Sequence, residues 1–334
     1  MTTVMSDRGL SSLFADLEVD ATPDAPLGEL TWYGIGGRAD VLVRPRTVEA
    51  LATLMRRANR QGTPVRVLGS GANLLVADEG VDGIVVKLDA PCFTESLHNA
   101  KGEVEALRVG AGADLAKTLN EATRRGLEGL SHLAGIPSSI GGAIRMNAGG
   151  RYGATGDTVH SVGCLSRSGE LRIYPASELR FGYRSTNIPD PVVLWAAFRL
   201  EQVDPVALRA RVMEIMNYKK STQPLAENSA GCMFRNPTLP GGERTSAGKL
   251  IDEAGLKGLK VGGASISPRH GNFVTVERGA RTADVLELVR RVQVRVRETH
   301  GVDLVREVVH WSRTGGDAAH GNDRGDDRTR AEER

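Results

Sequence analysis

Leu133-Ala134-Gly135-Ile136-Pro137-Ser138-Ser139-Ile140-Gly141-Gly142-Ala143-Ile144-Arg145-Met146-Asn147-Ala148-Gly149-Gly150 is a long glycine-rich segment. Pro137 stiffens a bend that Gly135 starts, and Gly141 and Gly142 leave backbone bare, so that a ligand can lie flat against it. A structureless loop this long inside a compact domain is more often functional than idle. An earlier segment, Val67-Leu68-Gly69-Ser70-Gly71-Ala72-Asn73-Leu74-Leu75, follows a strand pattern directly. Gly69 and Gly71 let successive N–H groups point into one concavity, with Ser70 and Asn73 adding side-chain contacts. Such a nest suits a phosphate or pyrophosphate. It is neither a Walker A loop nor a GxGxxG, since no Gly-Lys-Ser/Thr and no third glycine follow. Taken alone, it reads as a tight turn.

Working outward, Val48, Leu51, Leu54, Met55 and Ala58 follow helical spacing over residues 47–61, between strand patterns at 40–43 and 64–68, with another at 83–88. That order argues for an α/β unit on a small sheet. Strand patterns at 104–110, 159–165, 171–174 and 192–200 follow, interrupted by one clear helix over 114–125. A third region begins near Asp204, with amphipathic helices marked by Leu208, Val212, Ile215 and Met216 and by Val285, Leu288, Val289, Val292 and Val296. With a strand pattern at 273–276 it reads as a separate α+β lobe. The tail, 313–334, is nearly all Gly, Asp, Arg and Glu and is expected to be disordered.

The 334 residues carry 43 basic and 41 acidic side chains, a net charge of +2 that leaves no footprint for nucleic acid. No apolar run approaches a membrane span, and no basic-then-apolar leader stands at the N-terminus. Cys92, Cys164 and Cys232 lie too far apart to form a CxxC pair, and no two histidines have metal-ligand spacing. The expectation is a reduced, soluble, cytoplasmic protein that holds no metal and inserts in no membrane.

The ordered series Ile35-Gly36-Gly37-Arg38-Ala39, the two glycine segments, Phe181-Gly182-Tyr183-Arg184, Gln223-Pro224, 229–237, 247–252 and 304–308 resembles the UDP-N-acetylenolpyruvoylglucosamine reductase family over residues 31–311. The resemblance implies an α+β fold: a two-lobed FAD-binding domain of the vanillyl-alcohol-oxidase (PCMH) type, with a C-terminal α+β substrate-binding lobe. It implies boundaries of 1–27 for an N-terminal extension, 28–203 for the flavin domain (lobes about 28–95 and 96–203), 204–312 for the substrate lobe and 313–334 for the tail. The short substrate lobe points to the form without an inserted tyrosine-bearing loop. Also implied are bound FAD, NADPH as co-substrate, and reduction of UDP-N-acetylglucosamine-enolpyruvate to UDP-N-acetylmuramate for peptidoglycan. The rival reading is another FAD oxidoreductase of this fold with a different small substrate.

Carried over residue by residue, the flavin contacts are Gly69, Ser70, Gly71, Asn73, Leu74, Gly135, Ile136, Pro137, Ser138, Gly141, Gly142, Ala143, Asn147 and Gly149. Hydride addition to an enolpyruvyl double bond develops enolate charge, which wants a permanent cation and a proton donor. The family pattern places Arg184, Cys232 and Glu307 in those roles. Arg184 stays protonated throughout. A thiol near its reference value of about 8.5 is mostly protonated at neutral pH, so Cys232 can donate to carbon. Glu307 is expected on a strand face shared with Val305 and Val309, poorly solvated and so suited to acid catalysis. Asn236 and Lys220 are carried over as substrate contacts, with Lys219 as the competitor to the latter.

Overall fold

The computed structural model describes residues 7–99, 105–239 and 241–313. The first lobe forms as its periodicity requires. Thr47 caps the helix Val48–Gln61 by accepting from the Ala50 amide, and Gly62 closes it in the left-handed conformation at φ 65. Leu51, Leu54, Met55 and Ala58 join Val41, Val43, Ile84 and Val86 in one core. The sheet beneath runs Val19–Pro26, Arg38–Pro45, Val81–Lys87, Val65–Leu68. Its first pair is antiparallel and the others are parallel. The segment expected as an N-terminal extension therefore supplies an edge strand of this sheet.

The second lobe is antiparallel: Leu171–Pro175, Val159–Leu165, Val192–Gln202, Glu105–Gly110 and Ser96–Asn99 lie side by side. Val104, placed in a strand by its pattern, lies outside the described residues. The helix Leu115–Arg124, capped by Asp114, covers part of the lobe. A further helix, Ile140–Arg145, corrects the expectation of a structureless loop and of one helix only in this region. Ser139 caps it through the Gly142 amide, and Ile140, Ala143 and Ile144 bury one face. The two glycines, costly in a helix, had hidden that i, i+3, i+4 pattern.

The third lobe has its own core around the sheet Ser229–Cys232, Phe273–Val276, Ala264–Ile266, Lys260–Val261 and the helices Ala247–Glu253 and Thr282–His300. Burying Val285, Leu288, Val289, Val292 and Val296 contributes about 1.5–3 kcal/mol each before entropy is charged. The helix Pro205–Thr222, expected in this lobe, instead buries Val212 and Ile215 in the core of the first two. Structurally the third lobe begins after that helix, not at residue 204.

Several ties bolt the lobes together. Tyr33, Ile35 and Leu75 are buried in the third lobe's core. Strand Val309–Trp311 returns to pair in parallel with Leu74–Val76. The Asp78 carboxylate accepts from the Thr282 and Ala283 amides at 2.9 and 3.1 Å, capping the long helix from across the lobe boundary. Arg313, expected in the tail, is held by Asp40 at 2.7 Å and by the Glu79 carbonyl at 2.9 Å. The rest of that tail, 314–334, lies outside the described residues.

Candidate active site

The two glycine segments, some sixty residues apart in sequence, meet in space: a Cβ added to Gly69 would stand 2.6 Å from the Ser139 hydroxyl. Gly71 has φ 69, and a Cβ there would stand 2.2 Å from the Leu30 carbonyl oxygen. Only glycine fits that turn. Among the described residues, none of the amides of Ser70, Gly71, Ala72 and Asn73 donates to a protein acceptor. A run of unpaired N–H groups, half-buried apart from buried Gly71, is the donor set a pyrophosphate requires. The residues present therefore fit FAD. Gly135, Ile136, Pro137, Ser138, Gly141 and Gly142 are likewise half-buried.

Other members of the expected flavin set stand differently. Leu74 and Ala143 bury their side chains in the protein's cores, so only backbone is left for a ligand. Gly149 packs against Gly153 and Ala154, where a Cβ would come within 2.5 Å of backbone. Asn147 is buried, and both ends of its amide are engaged with backbone at Gly182 and Gly156.

Arg184 sits on the turn of the hairpin Phe181–Gly182/Ser185–Thr186, with φ 54. Its Nε donates to Glu307 Oε1 at 2.5 Å, and the two side chains are only 20% and 9% exposed. Burial works against the Arg184 charge, but the Glu307 carboxylate outweighs it and holds the guanidinium above its ordinary value. Tyr183 donates its hydroxyl to the other Glu307 oxygen at 3.3 Å and accepts from the Asn236 amide at 3.3 Å. Its ring lies under the Arg244 guanidinium at 3.8 Å.

Glu307 does not share a strand face with Val305 and Val309, as its pattern suggested. It lies between an isolated bridge at Arg306 and the last strand, and Val305 is exposed while Glu307 is half-buried with its side chain 9% exposed. Its carboxylate is walled by a cation and a phenol in place of valines. The Glu307 amide donates to the Met233 carbonyl at 2.8 Å, and its carbonyl accepts from Asn73 Nδ2 at 3.3 Å. One residue thus touches the strand end that carries Cys232 and the first glycine segment.

Cys232 ends the strand Ser229–Cys232, after Gly231 at φ 75. Burial pushes its thiol up to about 12; the Glu307 charge adds to that and Arg184 opposes it. The three residues of the expected catalytic set are therefore within electrostatic reach of one another, although Arg184 comes from the second lobe and the other two from the third.

Lys220 is exposed, whereas Lys219 turns inward, donates to the Ala134 carbonyl at 2.6 Å and flanks Gly135. Burial, then the nearby Arg184 charge, lowers its ammonium to about 8. Lys219 continues the helical stripe of Val212, Ile215 and Met216, the signal that singles it out from its neighbour. Asn236 accepts from the Ala247 amide at 3.1 Å and lines a 470 Å³ cleft with Tyr183, Arg235, Thr238 and Asp303. Cys92 is exposed and Cys164 buried, both away from this group. Among the described residues no His, Cys, Asp and Glu cluster could hold a metal, and no helix is long and apolar enough to cross a membrane.

Comparison with known proteins decides the family. Residues 223–311 match the model of the UDP-N-acetylenolpyruvoylglucosamine reductase C-terminal domain, and residues 39–173 match that of an FAD binding domain. The chain is 40% identical to the UDP-N-acetylenolpyruvoylglucosamine reductase of Desulfosudis oleivorans over 293 residues, covering 85% of this chain and 92% of that protein. The chain belongs to the UDP-N-acetylenolpyruvoylglucosamine reductase family. The Bacillus subtilis reductase is 37% identical over 286 residues, with 85% and 91% covered. The crystal structure of the Thermus caldophilus enzyme superposes with a TM-score of 0.73 at 40% identity, covering 88% of this chain and 99% of that one. The family's C-terminal domain starts at 223, where the helix that joins the first core ends, and this agrees with the core boundaries above.

Proposed function

We propose that the protein reduces UDP-N-acetylglucosamine-enolpyruvate to UDP-N-acetylmuramate in the cytoplasm, with NADPH as reductant, and so serves peptidoglycan synthesis. The observation that carries this reading is the meeting of Arg184, Glu307 and Cys232, with Glu307 bonded through its carbonyl to Asn73 of the flavin segment. When bound along the glycine segments, FAD supplies the hydride, replenished by NADPH.

The protein's own residues handle the charge and the proton. Arg184 remains cationic and partners the substrate carboxylate as enolate charge develops on it. Glu307 holds that guanidinium in place against the developing charge. The Cys232 thiol, held at about 12, is fully protonated at neutral pH and gives its proton to carbon from one face. Tyr183, Asn236 and the cleft beside them are assigned to the nucleotide-sugar, with Lys219 in place of Lys220 as the inward cation.

The test is NADPH oxidation by the purified yellow protein, with and without UDP-N-acetylglucosamine-enolpyruvate. Wild type turns over only with that substrate, and Cys232→Ala loses about 10²–10⁴-fold in turnover while NADPH still bleaches its flavin. Bleaching without substrate-dependent turnover in wild type would overturn the reading in favour of another FAD oxidoreductase.

A further inference from the structure

The hairpin that carries Arg184 is a two-stranded ribbon joined to no larger sheet among the described residues. Such a ribbon is marginal in water by itself. Arg184 also occupies a left-handed conformation, φ 54, which costs a non-glycine residue about 1–2 kcal/mol. Its aim therefore depends on what grips the ribbon.

The grip comes from the last turn of helix Ile140–Arg145 and the residues just after it. Arg145 donates to the Ile188 carbonyl at 2.9 Å and to the Asp190 carbonyl, past the hairpin. Asn147 is 7% exposed and left-handed at φ 40, a conformation that asparagine tolerates. Its Nδ2 donates to the Gly182 carbonyl at 2.8 Å, two residues before Arg184, and its Oδ1 accepts from the Gly156 amide at 2.9 Å. Gly156 lies under the Phe181 ring, where a Cβ would come within 2.4 Å. One amide N–H and one Oδ1 lone pair are thus spent on backbone, and at 7% exposure little of the amide is open to a cofactor.

We infer that Asn147 is a positioning residue that aims Arg184 through the Gly182 carbonyl, and is not a flavin contact. The inference rests on the role given to Arg184 above. It makes the helix that packs beside the flavin segment the support of the arginine hairpin.

The experiment compares Asn147→Asp and Asn147→Gly, each alone and in an Arg184→Lys background. Asn147→Asp keeps the bond to Gly156 and sets an oxygen against the Gly182 oxygen. Asn147→Gly keeps the left-handed backbone and removes both bonds, which guards against one variant failing to fold. Titration of the apoprotein with FAD should stay within about threefold of wild type. Turnover should fall about 10²-fold, the cost of a misaimed group. In the Arg184→Lys background the same substitutions should cost no more than about threefold, because the residue they aim is already altered. If Arg184→Lys alone leaves turnover intact, the reading of Arg184 falls. If Arg184→Lys is impaired but the Asn147 variants keep turnover, multiply its defect in full or weaken FAD binding tenfold or more, the Asn147 assignment alone is overturned.

Discussion

Alkylation of Cys232 by iodoacetamide, followed by peptide mapping as pH is raised, reads the electrostatics of the site without requiring turnover. Only the thiolate reacts. At pH 8 a free cysteine near 8.5 is roughly one-quarter thiolate. A thiol at about 12 is thiolate in roughly one molecule in 10⁴ at that pH, so Cys232 should react about 10³-fold more slowly than a free cysteine. Exposed Cys92, whose thiol pKa burial also raises, serves as the internal control for reagent and pH, while the comparison of about 10³-fold is made with free cysteine. Burial is the larger part of the elevation and Glu307 the next, with Arg184 opposing both. Glu307→Gln removes the negative charge and leaves the cation, so the Cys232 rate should rise about tenfold, with Cys92 unchanged. Protonation control also requires a rate that climbs about tenfold per pH unit to above pH 10. A slow but pH-independent rate would mean access, not protonation, protects the thiol. A Cys232 rate equal to that of Cys92 at pH 8, or a slower one in Glu307→Gln, would refute the account.

Gly71→Ala places a Cβ 2.2 Å from the Leu30 oxygen at φ 69, so the turn must deform. FAD affinity should drop about tenfold or more, read by flavin fluorescence, with far-UV circular dichroism unchanged. Lys219→Gln removes a half-buried ammonium and keeps a donor for the Ala134 carbonyl. The folded value, about 8, lies below the ordinary 10.5, so the charge destabilises the fold below pH 8 and that cost disappears as pH rises from 8 to 10.5. The variant should therefore be more stable by about 1–2 kcal/mol at pH 7, after allowing for solvent screening, and lose that advantage by pH 10.5. A melting-temperature difference that does not change with pH would count against this origin.

What the amino-acid sequence determined by itself was local. The helix 48–61 follows from one apolar stripe bounded by Thr47 and Gly62, and the strands 159–165 and 273–276 from β-branched runs between turn formers. The bare backbone of Gly71 and Gly135 was likewise readable, because glycine leaves its mark wherever φ is positive. The short helix after Ser139 was not, because two glycines mask its periodicity. Membership of a core was not local either: helix 205–222 has the same stripe whichever lobe receives it. Arg184, Cys232 and Glu307 read singly as a surface arginine, a small buried thiol and a strand glutamate. Their ordered motifs linked them by resemblance; their meeting is a property of the tertiary structure. Contact between residues 123 positions apart follows from how the lobes close on one another: the final strand pairs with Leu74–Val76, Asp78 caps the long helix, and Asn147 grips the hairpin. Charge and burial at the site depend on that closure, since a thiol or an ammonium changes its proton affinity only when neighbours exclude water and bring charge near.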